Sequence, residues 1–481
     1  MRVRRPLLLA WCLLLVASVC WPFLLPGEFL WRDMAVPARL GWTPTNFGGG
    51  DLPARNAPQD GALALFSQVL PATWLLRVLV LGAAGSAAWA AWRLSSRTPA
   101  LAIALAVANP FIIERLLQGQ WSLAVAAWLL PVIVAAPNRR VRWLAMAGAS
   151  LTPTGALLGL AVALCAPGPH RRLLADVPFG LALCLPWLIP GLLSPAAPTS
   201  AAAGVAAFAP RAETGLGTVG SLLTLGGIWN AEATTALRHA GFALFGLLPL
   251  LLIADGARRV PRRLAVLAAL GLGGAIVAWL LPQGLASAIE AIPGLGILRD
   301  SHKFVALAIP AYVIALGNLR LPRALAAAAL ACVCLQVADA PVALSVLRPG
   351  PPASDSTLVA QLGGREVFFA DRSSLVTVPG GVAVDPYTKT TAALQSGELR
   401  VDGVIVDYPA PRWVAARAAW QARDMHSLEE LGVGAVVEGE KIVATTDAPA
   451  PPVPWALSAL WCLLPVLAFI PAPVLWRRRS G

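Results

Sequence analysis

Charge is what this chain has least of. Only 13% of its 481 residues are charged, 25 are acidic, and lysine occurs three times, at Lys303, Lys389 and Lys441. In place of charge stand 57% apolar residues and a mean hydropathy of +0.69. They recur as runs near the roughly 20 residues that a spanning helix needs. The composition therefore predicts a polytopic α-helical membrane protein. The formal charge of +12 comes without a soluble basic domain or an aromatic-interleaved basic patch, which argues against nucleic acid as a partner. Cysteine is missing wherever it could do chemistry. All seven (Cys12, Cys20, Cys165, Cys184, Cys332, Cys334, Cys462) lie in or beside apolar runs, so neither a disulfide framework nor a zinc site is expected.

Arginine clusters mark one side of the membrane: Arg2, Arg4, Arg5; Arg93, Arg97; Arg139, Arg140, Arg142; Arg171, Arg172; Arg258, Arg259, Arg262, Arg263; Arg320, Arg323; Arg477, Arg478, Arg479. By the positive-inside bias that side is cytoplasmic. The opening MRVRRP and its apolar run resemble a signal peptide but lack a small-residue cleavage pattern, and are read as a retained first helix. Threading apolar runs between the clusters gives about twelve membrane segments with both termini inside. Residues 143–166, flanked by basic clusters and broken by Thr152, Pro153, Thr154 and Gly155, are read as a hairpin of two short helices walling a cavity. Three units follow: a multi-pass module 1–342 with a first outer loop 26–72, an extracytoplasmic α/β domain 343–453, and a last helix with a basic cytoplasmic tail, 454–481. The strings REVFFA, SLVTV, VDGVIVDY, GAVVEG and KIVATT read as strands of the second unit, and 411–431 as helix. No internal repeat supports a transporter built from inverted halves.

Thirteen of the acids fall in 343–453, which leaves twelve for the rest of the chain, and four of these (Glu28, Asp33, Asp51, Asp60) crowd into the first outer loop. A long outer loop dense in carboxylates beside a membrane is the candidate site. Glu114 and Arg115 end a short apolar run, where charge is costly and is either paired or functional. The segment LRDSHKF places Arg299, His302 and Lys303 on the outer side, against the orientation bias, so a role beyond orientation is expected. Charge-assisted hydrogen bonds to a phosphate would supply one. Each has a plainer reading: Asp33 pairs with Arg32, Asp60 caps a helix, Glu114 and Arg115 pair internally, and the LRDSHKF cations meet headgroups or Asp300.

The layout of first span, acid-bearing outer loop, broken helices and C-terminal outer domain resembles the GT-C superfamily of integral-membrane glycosyltransferases. The segments NPFIIERLLQGQW (109–121), GSLLTLGGIWN (220–230), LRDSHKFVALAIPAY (298–312) and LEELGVGAVVEG (428–439) are similar to parts of large actinobacterial membrane proteins and of the YfhO-like branch. The resemblance implies an inverting glycosyltransferase of the plasma membrane. It would take a sugar from a polyprenyl-phosphate donor and pass it to a cell-envelope glycan, lipid or protein on the outer face. It implies Asp33 as general base; the residues themselves add Asp60 as a second candidate acid and Arg299, His302, Lys303, Glu114 and Arg115 as candidates around the lipid phosphate. The second outer loop lacks the family's paired acids and offers only Glu114, so a divalent metal is allowed for but not required, and no metal ligand is assigned. Rival readings are a lipid or glycan transporter or flippase, and a non-catalytic scaffold of envelope biosynthesis.

Overall fold

A computed structural model describes residues 5–193, 199–292 and 294–470. The terminal clusters at Arg2, Arg4 and Arg477–Arg479, with the basic tail, lie outside the described residues. The protein is 62% helical. Among the described residues, five helices are long and apolar enough to cross a membrane: Arg5–Leu24, Ala72–Leu94, Pro99–Leu117, Arg262–Leu280 and Arg323–Leu347. The pair His170–Ala182 and Leu185–Leu193, bent by 50°, makes a sixth if counted as one span. The other apolar helices run 10–17 residues, short of the roughly 20 that cross a bilayer core. Length and composition therefore carry about half of the twelve segments expected.

The core is built around Trp121–Ala135, in which every residue but Val134 is buried. A helix apolar on all sides has no solvent face and must be wrapped. It packs against Ala72–Leu94, Arg139–Ala149 and Pro153–Cys165. The helix Ala72–Leu94 buries Ala83, Ala84, Ala87, Ala88, Ala90 and Ala91. Small side chains let helix backbones approach closely where lipid gives no hydrophobic drive to pack. The 143–166 stretch is two helices, Arg139–Ala149 and Pro153–Cys165. Its tip meets the last helix and the first outer loop, through Trp461 Nε1 donating to Ser150 Oγ at 2.8 Å and the Gln59 amide donating to the Leu151 carbonyl at 3.2 Å.

The first outer loop is not a coil. It opens with a hairpin of β1 (Phe29–Trp31) and β2 (Met34–Val36) and contains the helix Gln59–Phe66. The C-terminal segment carries β3 (Glu366–Phe369), β4 (Leu375–Val378), β5 (Gly381–Val384), β6 (Ala392–Ala393), β7 (Leu399–Val401), β8 (Val404–Asp407), β9 (Ala435–Glu438) and β10 (Lys441–Thr445). A four-stranded sheet has the order β10-β9-β3-β6, with β3 parallel to both neighbours and β9 antiparallel to β10. Side chains alternate across it: Val367, Phe369, Ala435 and Val437 face Leu358 and Leu362, while Phe368 and Val436 face Ala416, Trp420 and Leu428. The two central strands are thus buried on both faces, which is why they read as unbroken apolar runs. The helical stretch expected at 411–431 is split into Pro411–Gln421 and Met425–Glu430.

Three of the four loop carboxylates fasten this C-terminal segment to the loop. Glu28 accepts from the amides of Ala38 at 2.7 Å and Ala353 at 3.3 Å. Asp51 accepts from Arg412 Nε at 2.9 Å. Asp60 meets Lys389 Nζ at 2.6 Å with both residues buried. Removing one member of a buried ion pair strands the other, at a cost of about 3–5 kcal/mol, whereas removing both costs far less. Thermal unfolding of Lys389→Met in detergent should therefore show a large loss of stability that the added change Asp60→Asn recovers in good part. Losses that simply add would mean that the two side chains are not coupled.

Candidate functional site

Asp33 occupies the tip of the β1–β2 hairpin, whose register sets Trp31 opposite Met34 with Arg32 and Asp33 as the turn. Arg32 takes φ 47°, a left-handed conformation that a residue with a Cβ adopts only where its surroundings hold it. Strand β5 provides the hold: the Arg32 amide donates to Val382 O at 3.0 Å and the Val384 amide to Arg32 O at 2.8 Å. The Arg32 guanidinium pairs with Glu232 at 2.9 Å, not with Asp33. The turn is seated on residues 118–120. The Asp33 amide donates to Gln118 O at 3.3 Å, Trp31 Nε1 to Leu117 O at 2.7 Å, and Gln120 Nε2 to Asp33 Oδ2 at 2.9 Å. Gly119, at φ +80°, permits the approach, since a Cβ there would lie 2.5 Å from Trp31 O and 2.8 Å from the Asp33 nitrogen.

Beneath Asp33 runs a buried chain of alternating charge. Arg115 is fully enclosed and forms a bidentate pair with Asp300, Nη1 to Oδ2 at 2.8 Å and Nη2 to Oδ1 at 3.2 Å. Its Nη1 also donates to Gln120 Oε1 at 2.8 Å, and its Nη2 meets His302 Nδ1 at 2.6 Å. An arginine can only donate, so His302 Nδ1 accepts and the ring carries its proton on Nε2, which donates to Gly226 O at 3.1 Å. Glu114 is likewise enclosed; it accepts from the amides of Gly227 at 3.3 Å and Ile228 at 3.1 Å, and faces Arg238, which pairs with Glu213. Glu114, Arg115 and His302 are therefore paired inside the protein, with Arg115 Nε the one polar side-chain atom of the three left without a hydrogen-bond partner. The expectation that they surround a phosphate directly gives way to the plainer reading of an internal pairing network.

Arg299 is committed as well. It holds Asp407, at the end of β8, through Nη1 to Oδ1 at 2.7 Å and Nη2 to Oδ2 at 3.1 Å, and stacks over Phe208. Asp60, engaged by Lys389 and Gln59, has no contact with the Arg115 network. Lys303 differs from both: its side chain is 23% exposed, its nearest counter-charge is Asp300 at 3.5 Å, and among the described residues its Nζ makes no hydrogen bond. Asp33 and Lys303 lie within electrostatic reach of each other. Two groups the sequence did not single out, Arg55 and Asp407, pair with each other at 3.3 Å, and the charge of Asp33 reaches Arg55. Arg55 lies in the 26–72 loop, and the orientation argument applied to Lys303 would have flagged it; Asp407 carries no such signal.

Asp33 is open at its surface, yet the walls around it displace enough water that desolvation pushes its carboxyl above the ordinary aspartate value. Gln120, Lys303, Gln118 and Arg115 pull the other way. Asp300 shows the reverse balance, since burial raises its carboxyl but the Arg115 and Lys303 cations outweigh it and hold it well below the usual range. The two acids thus differ: its cations hold Asp300 ionised, whereas burial shifts Asp33 toward its protonated form. No group of three or more His, Cys, Asp or Glu among the described residues could hold a metal ion.

A carboxyl whose value is lowered by folding adds stability above its unfolded value, about 3.9 for aspartate, and loses that contribution as the pH falls below it. Asp300 should therefore give the protein an acid-side decline in stability. In Arg115→Met the loss of the buried partner should cost about 3–5 kcal/mol and flatten that decline, as read by thermal unfolding between pH 3 and 7. We found no family model, curated protein or solved structure that matches this chain, and the meaning of the site rests on its own geometry.

Proposed function

We propose that the protein is an inverting glycosyltransferase that moves a sugar from a polyprenyl-phosphate donor to a cell-envelope acceptor. In this reading the chain crosses the plasma membrane about twelve times, the short helices making partial crossings. Its termini are cytoplasmic, and the first loop and C-terminal α/β unit lie outside. The observation that carries the reading is the meeting of Asp33 with Lys303. An accessible carboxylate and an ammonium held only by Asp300, at 3.5 Å, come from distant parts of the chain to within electrostatic reach of each other, both tied to one buried network.

The chemistry follows from that pair. An acceptor hydroxyl gives its proton to the Asp33 carboxylate as its oxygen bonds to the anomeric carbon. The bond from that carbon to the donor's phosphate oxygen breaks, and the electron pair leaves with the lipid phosphate. Lys303 meets the charge that develops there. Attack and departure on opposite faces of the sugar invert the anomeric centre. A carboxyl raised above the ordinary aspartate value is a better base than an unperturbed one. Asp300, Arg115 and Gln120 act as positioning residues, since Gln120 bridges Arg115 to Asp33.

Transfer from a radiolabelled polyprenyl-phosphate sugar to envelope extracts tests this. Asp33 must be ionised to accept a proton, so activity should climb with pH through a value above about 3.9. Asp33→Asn should lower the rate about 10²–10⁴-fold. Because ionising Asp33 opposes folding as the pH rises through its raised value, the same variant should be no less stable than wild type at neutral pH. Retained activity in Asp33→Asn would remove the base. An absence of transfer from every such donor would remove the reaction class.

A further inference from the structure

Helix Arg262–Leu280 opens with two exposed arginines, Arg262 and Arg263, which form no ion pair among the described residues. The partner of Arg263 is itself a base: its Nη2 donates to His170 Nε2 at 3.2 Å. The turn that carries His170 continues into Arg171 and Arg172. Arg172 donates to Pro167 O at 2.7 Å and to Ala163 O at 3.1 Å, contacts that use its donors without cancelling its charge. The buried carboxylate of the following helix, Asp176, pairs with Arg142 at 2.8 Å, and Asp255 lies 3.8 Å from Arg259. Two basic segments, 170–172 and 262–263, thus touch with no anion between them. An orientation bias needs only the number of charges on one side of a membrane, and it gives no reason for such segments to meet.

Behind this basic head the surface is apolar. Arg263, Val266, Leu270 and Val277 follow at i, i+3, i+7 and i+14, which is one face of a helix, and the three apolar side chains are exposed. Helix Leu173–Ala182 exposes Leu174 and Leu181, seven residues apart. Helix Pro153–Cys165 packs against both helices and exposes Leu164 beside the 170–172 turn.

We propose that this face binds an anionic phospholipid, with its phosphate seated between Arg263 and the 170–172 turn and its acyl chains along Val266, Leu270 and Leu174. A phosphate oxygen accepts charge-assisted hydrogen bonds from a guanidinium, and the lipid's net negative charge supplies the anion that the two basic segments lack. A zwitterionic lipid brings its own cation to the same place and gains less. Such binding needs no glycosyl transfer and stands apart from the reaction proposed above.

The full-length protein in detergent would be titrated with phosphatidylglycerol, with phosphatidylcholine of the same acyl chains and with inorganic phosphate, and bound lipid counted by native mass spectrometry. Wild type should bind phosphatidylglycerol about fivefold more tightly than phosphatidylcholine. Arg263→Gln, at an exposed side chain, should remove that preference, whereas Arg320→Gln, which deletes the same charge from another basic cluster, should keep it. Equal affinity of wild type for the two lipids would overturn the site. So would an equal loss in the two variants, which would reduce the preference to bulk charge attraction. Inorganic phosphate that displaces phosphatidylglycerol at matching concentration would overturn the lipid as occupant and leave a free-anion site.

Discussion

The bidentate pair between Arg115 and Asp300 is the contact on which the site depends. A fully buried guanidinium needs its charge balanced and its donors engaged, and Asp300 balances the charge of Arg115 while Asp300, Gln120 and His302 together engage both of its terminal nitrogens. Through Asp300 the pair reaches Lys303, and through Gln120 it reaches Asp33. One buried charge thus registers two accessible ones that come from opposite ends of the helical module. An apolar replacement could pack as well, but it could not tie these segments together in a single arrangement.

A second constraint is the fastening of the C-terminal segment to the first outer loop. Lys389 enters the loop to reach Asp60, Arg412 reaches Asp51, and β5 lines up beside Arg32. The hairpin that carries Asp33 is therefore held from two sides, by the 118–120 turn and by β5. Strain at Arg32 is sustained because hydrogen bonds on both its amide and its carbonyl leave the turn no cheaper alternative. The C-terminal segment is in this sense part of the site although it contributes no accessible group beside Asp33.

Much of this was legible in the chain before folding. Apolar runs placed the long helices, and strings such as REVFFA and GAVVEG became strands β3 and β9, because burial on both faces demands unbroken apolar sequence. The break at Thr152 and Pro153 was readable because proline cannot continue a preceding helix. The excess of acids in the 26–72 loop was legible as well, but the four acids do different things. Glu28, Asp51 and Asp60 serve as fasteners, and only Asp33 among the four lacks a partner in the C-terminal segment.

What the sequence by itself determined is therefore the helical, membrane-suited character of the chain and a short roster of unusual charges, since both follow from local composition and from the cost of charge near lipid. What only the tertiary structure decided is which charge meets which. Glu114, Arg115, Arg299 and His302 were as conspicuous as Lys303 in the text, yet the first four are hydrogen-bonded to internal partners, whereas Lys303 has only the looser contact with Asp300 at 3.5 Å and stays partly exposed. Pairing depends on distances between residues far apart in the chain, and no spacing or periodicity encodes those distances locally.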